Sequence, residues 1–74
     1  MNTPTINISK TGQNIRQLRV SAGVTVANLQ KVLGFATPQA IYKWQRGDAL
    51  PTIDNLVVLA AVLDVKIDDI LIVQ

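Results

Sequence analysis

The segment GFATPQAIYKWQRG, residues 34–47, carries signals for the start, the faces and the end of one short helix. Thr37 stands before Pro38, and a threonine can cap a helix whose first residue is a proline. Gly47 can adopt the left-handed conformation that commonly ends a helix. We therefore predict a helix over residues 38–46, about two and a half turns long.

The two faces of this helix differ in chemistry. When successive residues are placed about 100° apart, Ile41 and Trp44 lie on one side. The other side carries an amide, an ammonium, a guanidinium and a phenol, with no acid among them, from Gln39, Lys43, Arg46 and Tyr42. Glutamine can pair with adenine, lysine and arginine suit guanine edges or phosphates, and the start of a helix attracts phosphate. The pattern favours a surface that reads DNA over the alternative, a helix face that is merely solvated.

Capping and turn residues predict four further helices around the central one. Their expected bounds are 12–22, 26–33, 53–63 and 67–72, with Thr11, Thr25 and Thr52 as N-caps of the first three and Gly23 and Gly34 after the first two. The only hint of a strand is a weak alternation near the N-terminus. The sequence thus predicts an all-α fold, a compact five-helix bundle.

Length and composition are those of a small single-domain protein. The chain has 74 residues, of which 49% are hydrophobic, and a mean hydropathy of +0.30. We expect one domain over residues 11–74, after a flexible N-terminal arm of residues 1–10. The chain has no cysteine, its N-terminus lacks the apolar core of a signal peptide, and its longest apolar run, residues 56–63, is too short for a membrane span. We expect a cytoplasmic protein without a membrane partner.

Charge is distributed unevenly along the chain. The net charge is +2, but six basic residues and no acid precede Asp48, whereas five acids and a single base, Lys66, occur from Asp48 onward. A basic half and an acidic half indicate a molecule with one side that faces an anion. Ordinary solubilising charge is the alternative interpretation.

The sequence offers little for catalysis or for metal binding. It contains no histidine and no cysteine, and Asp68 and Asp69 are adjacent, so their side chains diverge on a helix. Both acids stand in the first turn of the last predicted helix, where the helix dipole favours negative charge. We expect no enzymatic activity, no cofactor and no metal.

Several short segments occur in an order that is typical of one family. They are Asn14-Ile15-Arg16-x-Leu18-Arg19, Gly23-Val24-Thr25, Leu29-x-x-x-Leu33-Gly34, Ile41-Tyr42-Lys43-Trp44-Gln45-Arg46-Gly47, Leu50-Pro51, Leu56-x-x-Leu59-Ala60 and Ile67-Asp68-x-Ile70-Leu71. Together they make residues 12–71 resemble the helix-turn-helix domain of the Cro/CI-type (XRE-like) regulators of bacteria and phages. The resemblance implies a lambda-repressor-like DNA-binding domain, in which the second and third helices form the helix-turn-helix and the third enters the major groove.

The same resemblance implies roles for residues of this chain. Gln39, Tyr42 and Lys43 are expected to face the base edges of double-stranded DNA. The resemblance also implies that Arg19 and Thr37 lie at the DNA backbone. We further expect Arg16, Lys31 and Arg46 to contact the DNA backbone.

Some positions depart from the family pattern. Gln45 stands where the family has a glutamate that pairs with an arginine, so Arg19 is expected to make at most a hydrogen bond to a neutral acceptor in place of an ion pair. Val26 replaces a glutamine that often binds phosphate, and Pro38 replaces a polar residue that commonly reads bases. The turn before the third helix is one residue longer than usual, and Phe35 is expected to fill the core there.

The fourth predicted helix is apolar on more than one face. Ile53, Leu56 and Leu59 belong to its expected core stripe. Other apolar residues remain uncovered, and we expect a symmetric homodimer to bury them: Val57, Val58, Ala61 and Val62, with Ile72 of the tail. A monomer with an unusually apolar core is the alternative.

These features together predict a sequence-specific, DNA-binding transcriptional regulator from a bacterium or phage, which represses by occupying an operator. The competing hypothesis is a protein-interaction module, such as an antitoxin-like or anti-repressor partner. That module would keep the scaffold, bind DNA weakly and use the apolar surface of the fourth helix. A steep dependence of DNA affinity on salt separates the two hypotheses.

Overall fold

The computed structural model describes residues 3–74, and this part of the chain contains five α-helices. They are α1 (Ile8–Ser21), α2 (Val26–Leu33), α3 (Gln39–Arg46), α4 (Ile53–Leu63) and α5 (Ile67–Ile70). The predicted all-α architecture of five helices is confirmed. None of the helices in the described part is long and apolar enough to cross a membrane.

The bounds of α2 and α4 are those that the sequence predicts. The hydroxyl of Thr25 accepts a hydrogen bond from the backbone N–H of Asn28 at 3.0 Å, and the hydroxyl of Thr52 accepts one from Asn55 at 3.3 Å. Each cap satisfies a backbone donor that the first turn leaves unpaired. At the end of α2, Gly34 has a φ of 72°, a left-handed conformation that costs glycine little.

The prediction that the first helix starts at Gly12 is wrong, because α1 already begins at Ile8. Its N-cap is Asn7, whose side-chain oxygen accepts a hydrogen bond from the backbone N–H of Lys10 at 3.0 Å. Thr11, the predicted cap, lies inside the helix and is fully buried. Asparagine caps at least as well as threonine, so α1 gains about one turn at its start.

The segment predicted as a flexible arm, residues 1–10, includes this added turn and also pairs with the other end of the chain. Its first two residues lie outside the described part. Ile6 forms an antiparallel bridge with Val73, and the backbone N–H of Asn7 donates to the carbonyl of Ile72 at 2.7 Å. The weak alternation in the sequence here corresponds to this one short pairing, which requires the tail as its partner.

Two other helix ends differ from the prediction. Pro38 occupies the N-cap of α3 and not its first helical position, because its carbonyl accepts the helical hydrogen bond from the N–H of Tyr42 at 3.2 Å. Thr37, the predicted cap, therefore lies one residue before the cap. At the other end of the chain, α5 stops at Ile70 and the following residue, Leu71, is extended.

Side chains of α1 explain why α5 ends early. The amide of Asn14 donates to the carbonyls of Asp69 and Ile70, at 2.7 and 3.0 Å. The buried hydroxyl of Thr11 accepts from the backbone N–H of Ile72 at 2.9 Å. The bonds from Asn14 satisfy two carbonyls that a helix end leaves unpaired, and the bond to Thr11 holds the tail against α1.

One apolar cluster connects the helices. Its buried members are Ile15, Leu29, Ile41, Trp44, Leu56, Leu59, Leu63 and Ile70. Phe35 packs edge-on against Trp44, with the ring centroids 5.8 Å apart, so the prediction that Phe35 fills the core at the longer turn is confirmed. The prediction that Ile53 is a core residue is wrong, since its side chain is 77% exposed. It lies in the first turn of α4, before the part of that helix that meets the cluster.

Close packing at Gly12 sets α1 against the last turn of α3. A Cβ at Gly12 would overlap the backbone carbonyl oxygen of Trp44 and lie 3.0 Å from that of Gln45. Only a residue without a side chain permits this approach. The contact fixes the position of the last turn of α3 against α1.

Candidate nucleic-acid interface

α3 has one buried face and one exposed face, as its sequence predicts. Ile41 is fully buried and Trp44 is 4% exposed, so these two side chains fix the rotation of the helix about its axis. Gln39, Tyr42 and Lys43 are exposed and occupy positions i, i+3 and i+4, which are neighbours on a helix surface. Packing of α3 against the core therefore leaves an amide, a phenol and an ammonium group side by side on its exposed face.

The start of α3 borders an open surface groove, which we call the α3 groove. It is lined by Gly34, Phe35, Ala36, Thr37, Gln39, Ala40 and Lys43. Among the predicted site residues, the structure therefore brings Thr37, Gln39 and Lys43 together. Their side chains supply a hydroxyl, an amide and an ammonium, and no carboxylate lines the groove. Such a lining suits the phosphates and base edges of DNA.

Gln30 holds the turn that shapes the α3 groove. Its Nε2 donates to the carbonyl of Phe35 at 3.2 Å, and the backbone N–H of Phe35 donates back to the carbonyl of Gln30 at 3.0 Å. Because the ring of Phe35 also contacts Trp44, the longer turn is fixed both to α2 and to the core. The sequence does show Gln30 five residues before Phe35, but it does not show that the side chain of Gln30 reaches the backbone of Phe35.

Arg19 connects α1, the turn before α2, and α3. Its Nε donates to Oε1 of Gln45 at 3.0 Å, and its Nη1 donates to the carbonyl of Val24 at 2.9 Å. The expected neutral hydrogen bond in place of an ion pair is therefore confirmed. Within residues 3–74 no carboxylate pairs with this guanidinium, so its remaining N–H groups are available to an outside anion.

The other predicted backbone contacts are not gathered in the α3 groove. Arg16 lines a second groove, between α1 and the last turn of α3, together with Gln13, Gln17, Val20, Ser21 and Gln45. Gln45 thus contributes to this groove while it binds Arg19. Lys31 is exposed in the last turn of α2 and lines neither groove.

Arg46 has a partner that the sequence prediction missed. Its Nε lies 3.0 Å from Oδ2 of Asp48, and both side chains are 57% exposed. The signal was present, since the acid follows the arginine by two residues across Gly47. One of the predicted phosphate contacts is therefore already bound to an anionic group of the protein itself.

The residues expected in a dimer interface divide into two groups. Val57 is 55% exposed and Ala61 is exposed. The partly buried ones are Val58, Val62 and Ile72. Ile53, Val57 and Ala61 follow i, i+4, i+8 spacing, so they form one exposed apolar stripe along α4. We call this set the α4 stripe.

Comparison with protein families gives one match that covers most of the helices. The family model described as helix-turn-helix matches residues 15–70, from within α1 to the end of α5. A comparison with curated protein sequences gave no significant match.

Three solved structures share the fold. The restriction-modification controller protein C.AhdI from Aeromonas hydrophila aligns with a TM-score of 0.75 at 25% identity, over 86% of this chain and 96% of that one. The clp gene regulator ClgR from C. glutamicum gives 0.71 at 21% identity, over 84% and 79%. The DNA-binding domain of BldD gives 0.72 at 23% identity, over 88% and 93%.

Proposed function

Because this chain belongs to the helix-turn-helix family, we propose that it is a transcriptional regulator that binds operator DNA in a sequence-specific manner. In this proposal α2 and α3 are the helix-turn-helix, and α3 enters the major groove. The protein represses by occupying its operator. The structural likeness to a restriction-modification controller protein supports the regulatory role. Since its ligand is bacterial or phage DNA, the protein acts in the bacterial cytoplasm.

The observation that carries the proposal is the geometry of α3. The buried side chains of Ile41 and Trp44 leave the helix one orientation, and in that orientation Gln39 and Lys43 border the α3 groove without an acid. An α-helix fits the major groove of B-form DNA, where each base pair shows a distinct set of donors and acceptors. In the proposal Gln39 and Lys43 read base edges, and Tyr42 contacts bases beside them.

The contacts to the DNA backbone surround this reading surface. Thr37 lies at the start of α3 and borders the α3 groove, and Arg19 is held against α3 by Gln45. Arg16 lines the second groove, Lys31 is exposed in the last turn of α2 and Arg46 ends α3. In the proposal each of them adds positive charge toward the DNA backbone. Contacts to the DNA backbone do not distinguish one DNA sequence from another. They set the affinity for DNA and the dependence of that affinity on salt.

The α4 stripe supports the proposal of a homodimer. Ile53 is 77% exposed and Val57 is 55% exposed, and adjacent exposed apolar residues mark interaction surfaces. A two-fold dimer buries the stripe of both copies and places two α3 helices about 34 Å apart, one DNA turn. In the proposal Val58, Val62 and Ile72, which are partly buried, contribute their remaining exposed apolar surface to the interface.

Selection from a pool of randomised duplexes at two salt concentrations tests the proposal. We expect an enriched, nearly palindromic motif, with affinity that falls steeply as salt rises. The same selection is carried out with the Gln39→Ala variant, which should enrich the same motif but with a weaker base preference at one position. Weak binding of all duplexes without any enriched motif would contradict the proposal and would favour a protein-interaction module that uses the α4 stripe.

A further inference from the structure

Arg46 and Asp48 form the one ion pair found within residues 3–74. The two atoms, Nε and Oδ2, lie 3.0 Å apart, a distance typical of a charge-assisted hydrogen bond. Arg46 is the last residue of α3 and stands at the edge of the surface that we propose binds DNA. Asp48 is the first acid in the sequence, after six basic residues.

The backbone holds this acid in place. Gly47 is left-handed, with a φ of 78°, and it turns the chain so that Asp48 stands beside the last turn of α3. The backbone N–H of Asp48 donates to the carbonyl of Lys43 at 2.9 Å. A Cβ at Gly47 would lie 2.8 Å from Cα of Ser9, so the loop also packs against α1. The backbone of Asp48 is therefore fixed beside the end of α3, with its carboxylate within reach of Arg46.

A carboxylate at this place offers Arg46 the same contact as a DNA phosphate. Both groups present anionic oxygens to a guanidinium, and arginine binds either through parallel N–H donors. While the Nε of Arg46 is bound to Asp48, that donor is not available to phosphate. The charge of Asp48 also repels the DNA backbone at close range.

We propose that Asp48 is a positioning residue that limits the affinity of the protein for DNA by holding Arg46 in an internal ion pair. The inference rests on the proposed DNA-binding function. Arg46 can bind a phosphate only after its pair with Asp48 opens. The free energy needed to open the pair offsets part of the free energy gained from the phosphate contact. An exposed ion pair of this kind contributes roughly 0.2–1 kcal/mol, equal to about a 1.4- to fivefold change in an equilibrium constant. Asp48 thus reduces binding to every duplex by a modest, uniform factor.

The test measures DNA binding at several salt concentrations for the wild type, Asp48→Asn and a matched control, Asp68→Asn. Asp68 is exposed, lies in the first turn of α5 and changes the net charge by the same amount. We expect Asp48→Asn to bind both operator and random DNA about 1.4- to fivefold more tightly than the control. Its salt slope should stay close to that of the control, because Arg46 reaches a phosphate in both proteins and only the cost of opening the pair is removed.

Two further variants separate the ion pair from a simple charge effect. Adding Asp48→Asn to an Arg46→Ala protein should give a clearly smaller gain than adding it to the wild type, because the arginine to be released is absent and only the repulsion by Asp48 is removed. Asp48→Glu keeps a carboxylate near the arginine and should bind DNA like the wild type. A gain of equal size in the Arg46→Ala background would overturn the inference.

A spectroscopic measurement does not depend on DNA binding. The NMR signal of the Arg46 Nε–Hε group in the unbound protein should shift in Asp48→Asn and stay in place in Asp68→Asn. If the wild type binds no duplex, the proposed function fails and the inference falls with it. If the wild type binds DNA while Asp48→Asn equals Asp68→Asn in affinity, only the inference fails.

Discussion

The Nε of Arg19 donates a hydrogen bond to Oε1 of Gln45 across 3.0 Å, so the last turn of α1 is joined to the last turn of α3 by a contact without a counter-charge. The second donor of the same guanidinium reaches the carbonyl of Val24. One arginine thus sets the position of α3 and of the turn that leads into α2. It keeps its positive charge for an outside anion, because an amide accepts the bond without neutralising it.

Gln45→Glu should stabilise the protein. The new carboxylate turns the neutral bond into an ion pair that is partly buried, for a gain of about 0.5–1 kcal/mol in the free energy of unfolding. Urea unfolding of the two proteins at low and high salt measures the gain, which should shrink as salt rises. The control is the same change in an Arg19→Met protein, where an undiminished gain would show that the pair is not its source.

Gln39→Ala should lower affinity for the operator by about 1–3 kcal/mol and relax the preference at one base pair. The reason is the loss of an amide that can form two hydrogen bonds with a base edge. Titration of the operator, its single-base variants and random DNA measures both effects. Gln13→Ala, on α1 and outside the α3 groove, is the matched control and should keep the base preference. Equal losses on operator and random DNA would rule out a reading role for Gln39.

Lys31→Ala should weaken binding to all duplexes alike. If Lys31 neutralises one phosphate, the slope of log affinity against log salt should fall by about one unit. Lys66→Ala removes the same charge from the acidic part of the sequence and should leave the slope almost unchanged. Identical slopes for wild type and Lys31→Ala would show that this lysine does not contact the DNA backbone.

Val57→Glu should convert a dimer into a folded monomer. The side chain is 55% exposed, so a charge there leaves the core intact but is costly when a second copy covers it. Val20→Glu is a matched control, because Val20 on α1 has the same exposure of 55%. Sedimentation equilibrium at tens of micromolar, with circular dichroism to confirm folding, gives the result. A wild type that sediments as a monomer both alone and on operator DNA would refute the dimer.

Gly12→Ala should destabilise the protein, although alanine favours an ordinary helix by about 1 kcal/mol over glycine. The added methyl group would overlap the carbonyl oxygen of Trp44, and relief of such overlap typically costs about 1–3 kcal/mol. Urea unfolding measures the net change. An unchanged or higher stability would mean that α1 and α3 can separate without loss, and would weaken the view that this contact fixes α3.

The parts of the fold that follow from neighbouring residues could be predicted from the sequence. Thr25 and Gly34 bound α2, and Thr52 starts α4, because caps act within one turn of the chain. The two faces of α3 follow from its spacing alone. In the candidate site, Arg19 and Gln45 were paired correctly because the family pattern supplied a contact between distant positions.

The errors arise where residues far apart in the chain decide the local structure. α5 ends at Ile70 because the side chain of Asn14 on α1 binds the carbonyls at its end, and no local pattern shows this. The start of α1 is different, since its cap, Asn7, is a local signal that was passed over in favour of Thr11. The pair of Arg46 and Asp48 was missed for another reason. Counting charge on either side of Asp48 assigned the two residues to opposite halves, although a left-handed glycine brings them together.

The pairing of the two ends also has a consequence for the order in which the protein folds. Asn7 and Gln74, whose side chains are hydrogen-bonded, are 67 residues apart in sequence, so this contact closes a loop of almost the whole chain. Closing so long a loop is entropically unfavourable until the helices have shortened the distance between its ends. The pairing between the two ends of the chain therefore forms last during folding and opens first. Hydrogen exchange should find the backbone amide of Asn7 less protected than those of α3, so the DNA-reading helix stays formed while the ends of the chain separate and rejoin.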